Sequence, residues 1–389
     1  MPWQEVSVME SRSEFVRLAG LCGMNISQLC ARFGISRKTG YKWLARAGSG
    51  APLSDRSRRP HASPRRTPQA TEAAILALRE QHPSWGGRKL RRRLADLGST
   101  APAASTITAI LTRHGCIDPA EASRHRAFQR FEHPHPNALW QMDFKGHFPM
   151  ASARCHPLTL LDDHSRYALC LSACAQESAA TVQERLVWIF RRYGLPERIN
   201  MDNGPPWGAP SAGVERPLTS LTVWLRRLGV RCSHSRPYHP QTNGKDEHFH
   251  RTLKRDVLHG QAYADLTACQ RAFDRFREVY NAQRPHEALG LEVPAARYRP
   301  SERSYPEVLP AVEYDAGDEV RRVQSNGWLH FRGHELRIPK ALAGQPVALR
   351  PTDTDGVWDV VFIAEPVATV DLRGRSKTPK PVTHLPEHL

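Results

Sequence analysis

Several things are missing from this sequence. Its eight cysteines (Cys22, Cys30, Cys116, Cys155, Cys170, Cys174, Cys232 and Cys269) form no C-x-x-C pair, and no His/His/Cys/Cys zinc spacing occurs. Scattered thiols of this kind fit a reducing cytoplasm, where cysteine is a small core residue, so neither disulfides nor structural zinc are expected. No apolar run reaches the roughly 18 residues that cross a bilayer, which argues against a membrane partner. Met1 to Glu14 is too mixed and too acidic for a secretory signal. Acidic side chains are in short supply as well: 39 Asp and Glu face 55 Lys and Arg, leaving +16. A surplus of that size points to a polyanion, with nucleic acid first among them.

What is present fits a folded, multidomain chain. At 40% hydrophobic and 24% charged residues the sequence is not a disordered tail. Its 389 residues suggest two to three domains at roughly 150 residues each. The positive charge is concentrated at the front, where residues 1–120 hold 19 Lys/Arg against 8 Asp/Glu. That distribution reads as a DNA-gripping region joined to something else.

Residues 1–46 read as a helix-turn-helix. Leu29, Cys30, Phe33, Ile35, Tyr41 and Leu44 keep a helical period on either side of Gly34, and Ser36 can cap the second helix. The exposed start of that helix offers Ser36, Arg37, Lys38, Thr39 and Lys42 to a major groove. The plainer reading is any three-helix bundle with a basic rim. Residues 47–70 are a Pro/Ser/Arg-rich linker, with Arg56, Arg58, Arg59, Arg65 and Arg66 as candidates for tracking a phosphate backbone. Residues 71–120 form a second, weaker helix-turn-helix, with Arg88 and Lys89 in its basic helix. Two reading heads on a tether would lengthen the DNA footprint.

From 134 to 300, strand and helix patterns alternate. Leu139–Phe148, Leu158–Asp162 and Ser165–Ala173 read as successive strands, followed by an amphipathic helix over Thr181–Tyr193 and a short strand at Arg198–Asp202. The order implies an α/β layer with a mixed sheet. Residues 318–371 switch to short β patterns, with Asn326-Gly327 and Arg332-Gly333 as turns, and suggest a small β-barrel. Residues 372–389 read as a disordered basic tail.

Three segments carry candidate chemistry. Asp143 interrupts the apolar strand Trp140-Gln141-Met142-Asp143-Phe144, where a lone carboxylate is expensive to bury. Asp202 ends a strand and runs into Asn203-Gly204, at the edge where α/β sheets place ligands. On a helix from Asn243, Glu247, His250, Arg251 and Lys254 share one face, while Phe249, Leu253 and Val257 share another. Three hard carboxylates suit magnesium or manganese, and two such ions about 3.5–4 Å apart support in-line phosphoryl displacement. Each acid alone has a structural explanation: a satisfied core acid, a turn former, a helix ion pair. Their joint occurrence in a basic chain with a helix-turn-helix favours chemistry.

In these segments the sequence resembles bacterial insertion-sequence transposases with a retroviral-integrase-like catalytic core. The resemblance runs through the helix-turn-helix, Asp55-Arg56-Ser57-Arg58-Arg59-Pro60, Trp140 to Gly146, Asp162 to Tyr167, Asp202-Asn203-Gly204, His239 to Glu247, and Tyr280 to Gly290. It implies an RNase-H-like core and a DDE triad of Asp143, Asp202 and Glu247 holding two Mg2+ or Mn2+ ions. Asp162 and Asp163, at a hairpin turn, are not carried over. It further implies phosphate contacts from Lys245, His250, Arg251 and Lys254, and orientation of the scissile group by His239 or Asn243. The expected partners are double-stranded DNA, as element ends and target, and further copies of the chain. The expected setting is the cytoplasm, at the nucleoid. Two departures stand out. The 44 residues between Asp202 and Glu247 are more than is usual, making Pro205–Pro217 an inserted loop, and Asp246 and His248 flank Glu247 where an apolar residue and an arginine are commoner. Two other readings are a helix-turn-helix regulator with an inactive core and a nuclease for RNA–DNA hybrids, the latter disfavoured by paired helix-turn-helix modules.

Overall fold

A computed structural model describes residues 7–57, 66–117, 132–151, 153–202, 204–208, 218–234 and 244–373. The chain forms two compact units, divided between Arg66 and Thr67.

In the first unit, α1 (Val8–Ala19), α2 (Ile26–Arg32) and α3 (Arg37–Gly48) surround Phe15, Leu29, Cys30 and Trp43. Each helix starts on a side-chain cap: Ser7 with Glu10 in a reciprocal box, Asn25 on Ser27 and Gln28, and Ser36 on the Thr39 amide. The buried aromatic of α3 is Trp43, and Tyr41, expected in the core, is 58% exposed. Helical phase explains the exchange. Gly40 faces Phe15 and Cys30, Trp43 lies three residues on along that face, and Tyr41 is turned about 100° away. Three cations crowd the Trp43 ring, with Arg12 at 4.0 Å and Lys42 and Arg46 each at 4.7 Å. Residues 51–57 stay on this unit, because Arg12 donates to the Leu53 carbonyl and pairs with Asp55.

The second unit begins with α4 (Gln69–Gln81), α5 (Gly87–Asp96) and α6 (Ala104–Arg113), packed around Ile75, Trp85, Leu90, Leu94, Ile107 and Leu111. The central layer is a mixed sheet of β1 (Trp140–Phe144), β2 (Phe148–Pro149), β3 (Arg154–Asp162), β4 (Ala168–Cys174), β5 (Arg198–Met201) and β6 (Arg231–His234). Its order is β2-β3-β1-β5-β6 with β4 on β3; β1, β3 and β4 are antiparallel neighbours, and β5 and β6 run parallel to β1. The single strand expected over Leu139–Phe148 is two strands, broken where Gly146 takes a positive φ of 80°.

Alternation along β1 sorts the two faces. Trp140, Met142 and Phe144 bury against α7 (Ala179–Tyr193) and α8 (Ser220–Arg227). The opposite face is covered by α9 (Gly244–Leu253), which continues as a π-helical turn over Lys254–Leu258, and by α10 (Leu266–Ala282). Phe249, Leu253 and Val257 form the buried stripe on this side, as their four-residue spacing predicts.

At the end of the unit, β7 (Glu319–Arg322), β10 (Pro346–Pro351), β11 (Val357–Phe362) and β12 (Glu365–Asp371) form an antiparallel sheet in the order β12-β11-β10-β7. The barrel expected here is not closed. β8 (Trp328–Phe331) and β9 (His334–Arg337) pair only with each other across the Arg332-Gly333 turn. They cover the sheet through Leu329, Phe331 and Leu336 rather than through ladder hydrogen bonds, which leaves β7 and β12 as edges. Val223 of α8 joins this core, and Arg226 pairs with Glu365 at 2.9 Å. The residues matching the expected basic tail from 374 onward lie outside the described residues.

The α5–α6 crossing yields a test. A Cβ on Gly87 would stand 2.5 Å from the Ala104 carbonyl oxygen and 2.5 Å from Thr108 Oγ1. Backbone cannot yield cheaply, so Gly87→Ala should lose about 1–3 kcal/mol of stability despite alanine's better helix propensity. Urea unfolding of the two proteins measures this; equal midpoints would show that the helices do not approach this closely.

Candidate active site

The site starts from strand register. In the parallel β1–β5 pair, Trp140 lies opposite Ile199 and Gln141 opposite Asn200. Two residues further along, the same register brings Asp143 level with Asp202, just past the end of β5, on strands about 4.8 Å apart. Asp143 and Gln141 project to the face that α9 covers, and α9 lies across β1. Glu247, in the first turn of α9, is exposed.

Asp143 feels all of its acidic neighbours. Its side chain is 28% exposed, and its carboxyl is pushed up to about 7, first by burial, then by the charge of Asp202, with Glu177 and Glu247 adding smaller amounts. The three acids singled out in the sequence therefore share one electrostatic neighbourhood. Glu177, which sequence reasoning missed, belongs to it too. It stands three residues past β4, in a segment with no motif to mark it, and pairs with His156 at 2.8 Å.

Among the described residues, no Lys or Arg forms an ion pair with Asp143. The nearest basic group is His250, with Nδ1 4.0 Å from Asp143 Oδ2. Burial, helped by Lys145, lowers His250 to about 4, so the imidazole is neutral at pH 7. Its tautomer follows from Thr159, which sits opposite Asp143 in the β1–β3 ladder. Thr159 Oγ1 donates to the Asp143 carbonyl at 3.0 Å, so its 2.9 Å contact with His250 Nε2 requires the imidazole to donate. Thr159 was a second missed residue, and its one signal was a hydroxyl inside the apolar run Leu158–Leu161.

Other candidates sit in specific places. Lys245, expected on phosphate, is 18% exposed and ion-paired with the buried Asp163, and it also donates to the Asp163 carbonyl at 3.2 Å. Asp163 accepts from Gln141 Nε2 at 2.8 Å and the His133 amide at 3.0 Å, while Asp162 accepts from the Asn137 and Ser165 amides at 2.7 and 2.8 Å. Both aspartates thus serve the hairpin turn. Asp246 is 1% exposed, with no hydrogen-bond partner on either oxygen; burial, then Asp143 and Asp163, hold it well above the carboxylate range. Arg251 and Lys254 are exposed, as are Ser36, Arg37, Lys38, Lys42, Arg56 and Arg66, with Thr39 half-buried. Arg88 is exposed and faces Glu287 at 3.4 Å, while burial near Arg284 lowers the half-buried Lys89 to about 8, so Lys89 lies against the core. Arg58, Arg59, Arg65, His239 and Asn243 lie outside the described residues. Trp207, buried and stacked on Phe144 at 5.4 Å, anchors the segment that follows Asp202.

The donor set is all oxygen and crowded, which suits a hard divalent cation. Among the described residues, no three or more His, Cys, Asp or Glu are arranged so that they could hold an ion. The carboxylates fit such a group by chemistry and by field rather than by a closed geometry.

The mixed sheet, the paired acids at its strand ends and the helix-turn-helix unit define the class of integrase-core DNA-binding proteins. Family comparison agrees: an integrase core domain matches residues 133–240 and again 228–294, a homeodomain-like domain matches 39–111, and a helix-turn-helix domain matches 14–61. Residues 318–378 match the C-terminal domain of IS481 family transposases. Among curated proteins, the chain is 30% identical over 187 residues to a Gag-Pol polyprotein of baboon endogenous virus, covering 46% of this chain and 10% of that one. It is 26% identical over 167 residues to the 31.7 kDa insertion element IS407 protein of Burkholderia multivorans, covering 42% of this chain and 57% of the relative. The chain thus spans between a tenth and just over half of these relatives. A chain of the simian T-cell lymphotropic virus intasome in complex with PP2A regulatory subunit B56 gamma is 17% identical, with a TM-score of 0.38, covering 79% of this chain and 96% of that one. Taken together, these matches make the chain similar to insertion-sequence transposases with an integrase-like core.

The charge of Asp143 predicts a pH dependence. Its folded pKa is raised, so its penalty on the fold is absent below about pH 4, grows between 4 and 7, and is complete above 7. Asp143→Asn removes the charge at nearly constant shape. In chelator it should stabilise the chain at pH 8 by about 1–3 kcal/mol, with the gain vanishing near pH 4. Urea unfolding at the two pH values reads the difference, and an equal effect at both would show that the carboxylate is not crowded.

Proposed function

We propose that this protein is a DNA transposase that binds the terminal inverted repeats of its own element, cleaves a strand and joins the freed 3′-OH to target DNA. The observation that carries the reading is the register of β1 on β5, which sets Asp143 beside Asp202 under the helix bearing Glu247. On this reading Asp143, Asp202 and Glu247 hold two Mg2+ or Mn2+ ions. Bound ions of this type supply Lewis-acid activation of the attacking oxygen and neutralise charge on the leaving one.

The chain's own groups do the rest. Thr159 and the neutral His250 hold the Asp143 segment in place without offering a competing cation. Arg251 of α9 and Lys254 at the start of the π-helical turn, both exposed, receive backbone phosphates, and His239 or Asn243 orients the scissile group. Ser36, Arg37, Lys38, Thr39 and Lys42 face the repeat, with Arg56, Arg58, Arg59, Arg65 and Arg66 following its backbone. Water, then a DNA hydroxyl, is the nucleophile, so no protein nucleophile is needed. Because two ends must meet, the working form is a homo-oligomer on DNA, placed in the cytoplasm at the nucleoid.

A second reading, a helix-turn-helix regulator with an inactive core, draws on one observation: the absence, among the described residues, of a ready-made ion-binding group. One experiment separates the two. Wild type, Asp143→Asn and Asp202→Asn are incubated with labelled DNA from the ends of the encoding element and manganese. Nicking and joining by wild type, reduced about 100-fold or more in each variant with binding intact, is expected, since a lost ligand forfeits several kcal/mol of transition-state stabilisation. Binding without nicking by all three would favour the regulator, and cleavage that survives Asp143→Asn would refute the triad.

A further inference from the structure

A polar junction centred on Ser84 helps to fasten the α4–α6 module to the core. Ser84, in the turn between α4 and α5, donates to Asp256 Oδ2 at 2.7 Å, in the π-helical turn that extends α9. The same hydroxyl accepts from Arg284 Nη1 at 3.1 Å, and Arg284 Nη2 donates to Thr252 Oγ1 of α9 at 3.3 Å. Arg284 follows the end of α10 and is 7% exposed. Nearby, Arg93 of α5 donates to Gln283 at 2.9 Å, and Val279 of α10 packs into the module's core. The turn that presents Ser84 is itself rigid: His82 stacks on the buried Trp85 at 3.8 Å, and Arg79 donates to the Trp85 carbonyl at 2.6 Å. One guanidinium therefore bridges the module and the helix that carries Glu247, five residues before Thr252.

We propose that Arg284 is a positioning residue: its forked contact to Ser84 and Thr252 sets the α4–α6 module at a fixed distance from α9, so that duplex held by the module is presented to the acidic face in register. The inference rests on the DNA-cutting reading for its consequence, and on the junction alone for its geometry. Bidentate geometry is the reason an arginine is required, since lysine carries the same charge but one point donor. The module then acts as a fixed arm instead of the second tethered head that the sequence suggested.

The test uses the full chain with Arg284→Lys and Ser84→Ala, the latter removing only a hydroxyl. Three quantities are measured: affinity for a labelled duplex from the element's end, the single-turnover strand-cleavage rate in manganese at saturating DNA, and backbone amide exchange over 244–258, with α7 as the internal reference. Affinity should stay within about twofold while the rate falls about 10- to 100-fold in Arg284→Lys, because misplacement of a bound substrate costs rate rather than binding. Exchange over 244–258 should accelerate in both variants and that of α7 should not. Unchanged exchange over 244–258, or accelerated exchange with an unchanged rate, would overturn the proposal. If wild type does not cut, the functional reading fails, and the exchange comparison still decides the junction. A loss spread equally over α7 and α9 would mark a general fold defect and overturn a positioning role.

Discussion

Two aspartates on adjacent parallel strands, level with each other, cannot avoid one another's field. That single constraint organises the candidate site. The β1–β5 register puts Asp143 beside Asp202, and the α9 crossing adds Glu247 to the same neighbourhood. The described surroundings relieve this only in part, through a backbone hydrogen bond from Phe144 to Asp143. The nearest imidazole is kept neutral by burial, and the hydroxyl opposite Asp143 spends its proton on a backbone carbonyl. A site that brings like charges together in a half-buried cleft raises its own free energy. Natural proteins tolerate such a cost mainly where a bound cation, supplied with the substrate, reverses it.

Glu247 also has to be held, because an exposed helical acid otherwise follows its helix wherever that helix drifts. α9 is fixed on three sides. Phe249, Leu253 and Val257 anchor it to the sheet, Lys245 pins its first turn to Asp163, and Thr252 meets Arg284 near its end. The acid lies between the ion pair and the guanidinium. Those two buried cations have polar partners within the protein, which separates them from Arg251 and Lys254 on the outer surface. Sequence spacing alone would treat Lys245, Arg251 and Lys254 alike, as bases of one helix.

This distinction marks what the sequence could and could not reveal. Asp143 and Asp202 were legible because each broke a local rule, an acid within an apolar strand and an acid at a strand end before glycine. The element types were legible because hydrophobic period is local. Glu177 and Thr159 were not, because their roles arise from strand neighbours that no local pattern encodes. The exchange of Tyr41 for Trp43 followed from helical phase: both aromatics are compatible with an amphipathic helix until Gly40 fixes which face approaches α1 and α2. The terminal barrel failed for a related reason. Strand patterns announce strands, but closure depends on which edges find each other, and the short β8–β9 hairpin satisfied its ladder internally.

Charge counting misled in one further way, with consequences for any basic protein read from sequence. The run Arg88 to Arg93 looked like a grip for phosphate. In the fold Lys89 is half-buried near Arg284 and Arg93 donates to Gln283, while Arg88, Arg91 and Arg92 are exposed, Arg88 facing Glu287 and Arg92 pairing with Asp96. Part of the positive surplus is therefore used inside the molecule, to dock one module against another. Net charge gives an upper bound on the DNA-facing surface, and the bound is loosest where a basic helix packs on acidic or amide side chains. A cation that must both dock a module and contact phosphate would weaken one role in serving the other. Along α5, Lys89 and Arg93 turn toward the core while Arg88, Arg91 and Arg92 stay exposed, which avoids that conflict within a single turn and a half of helix.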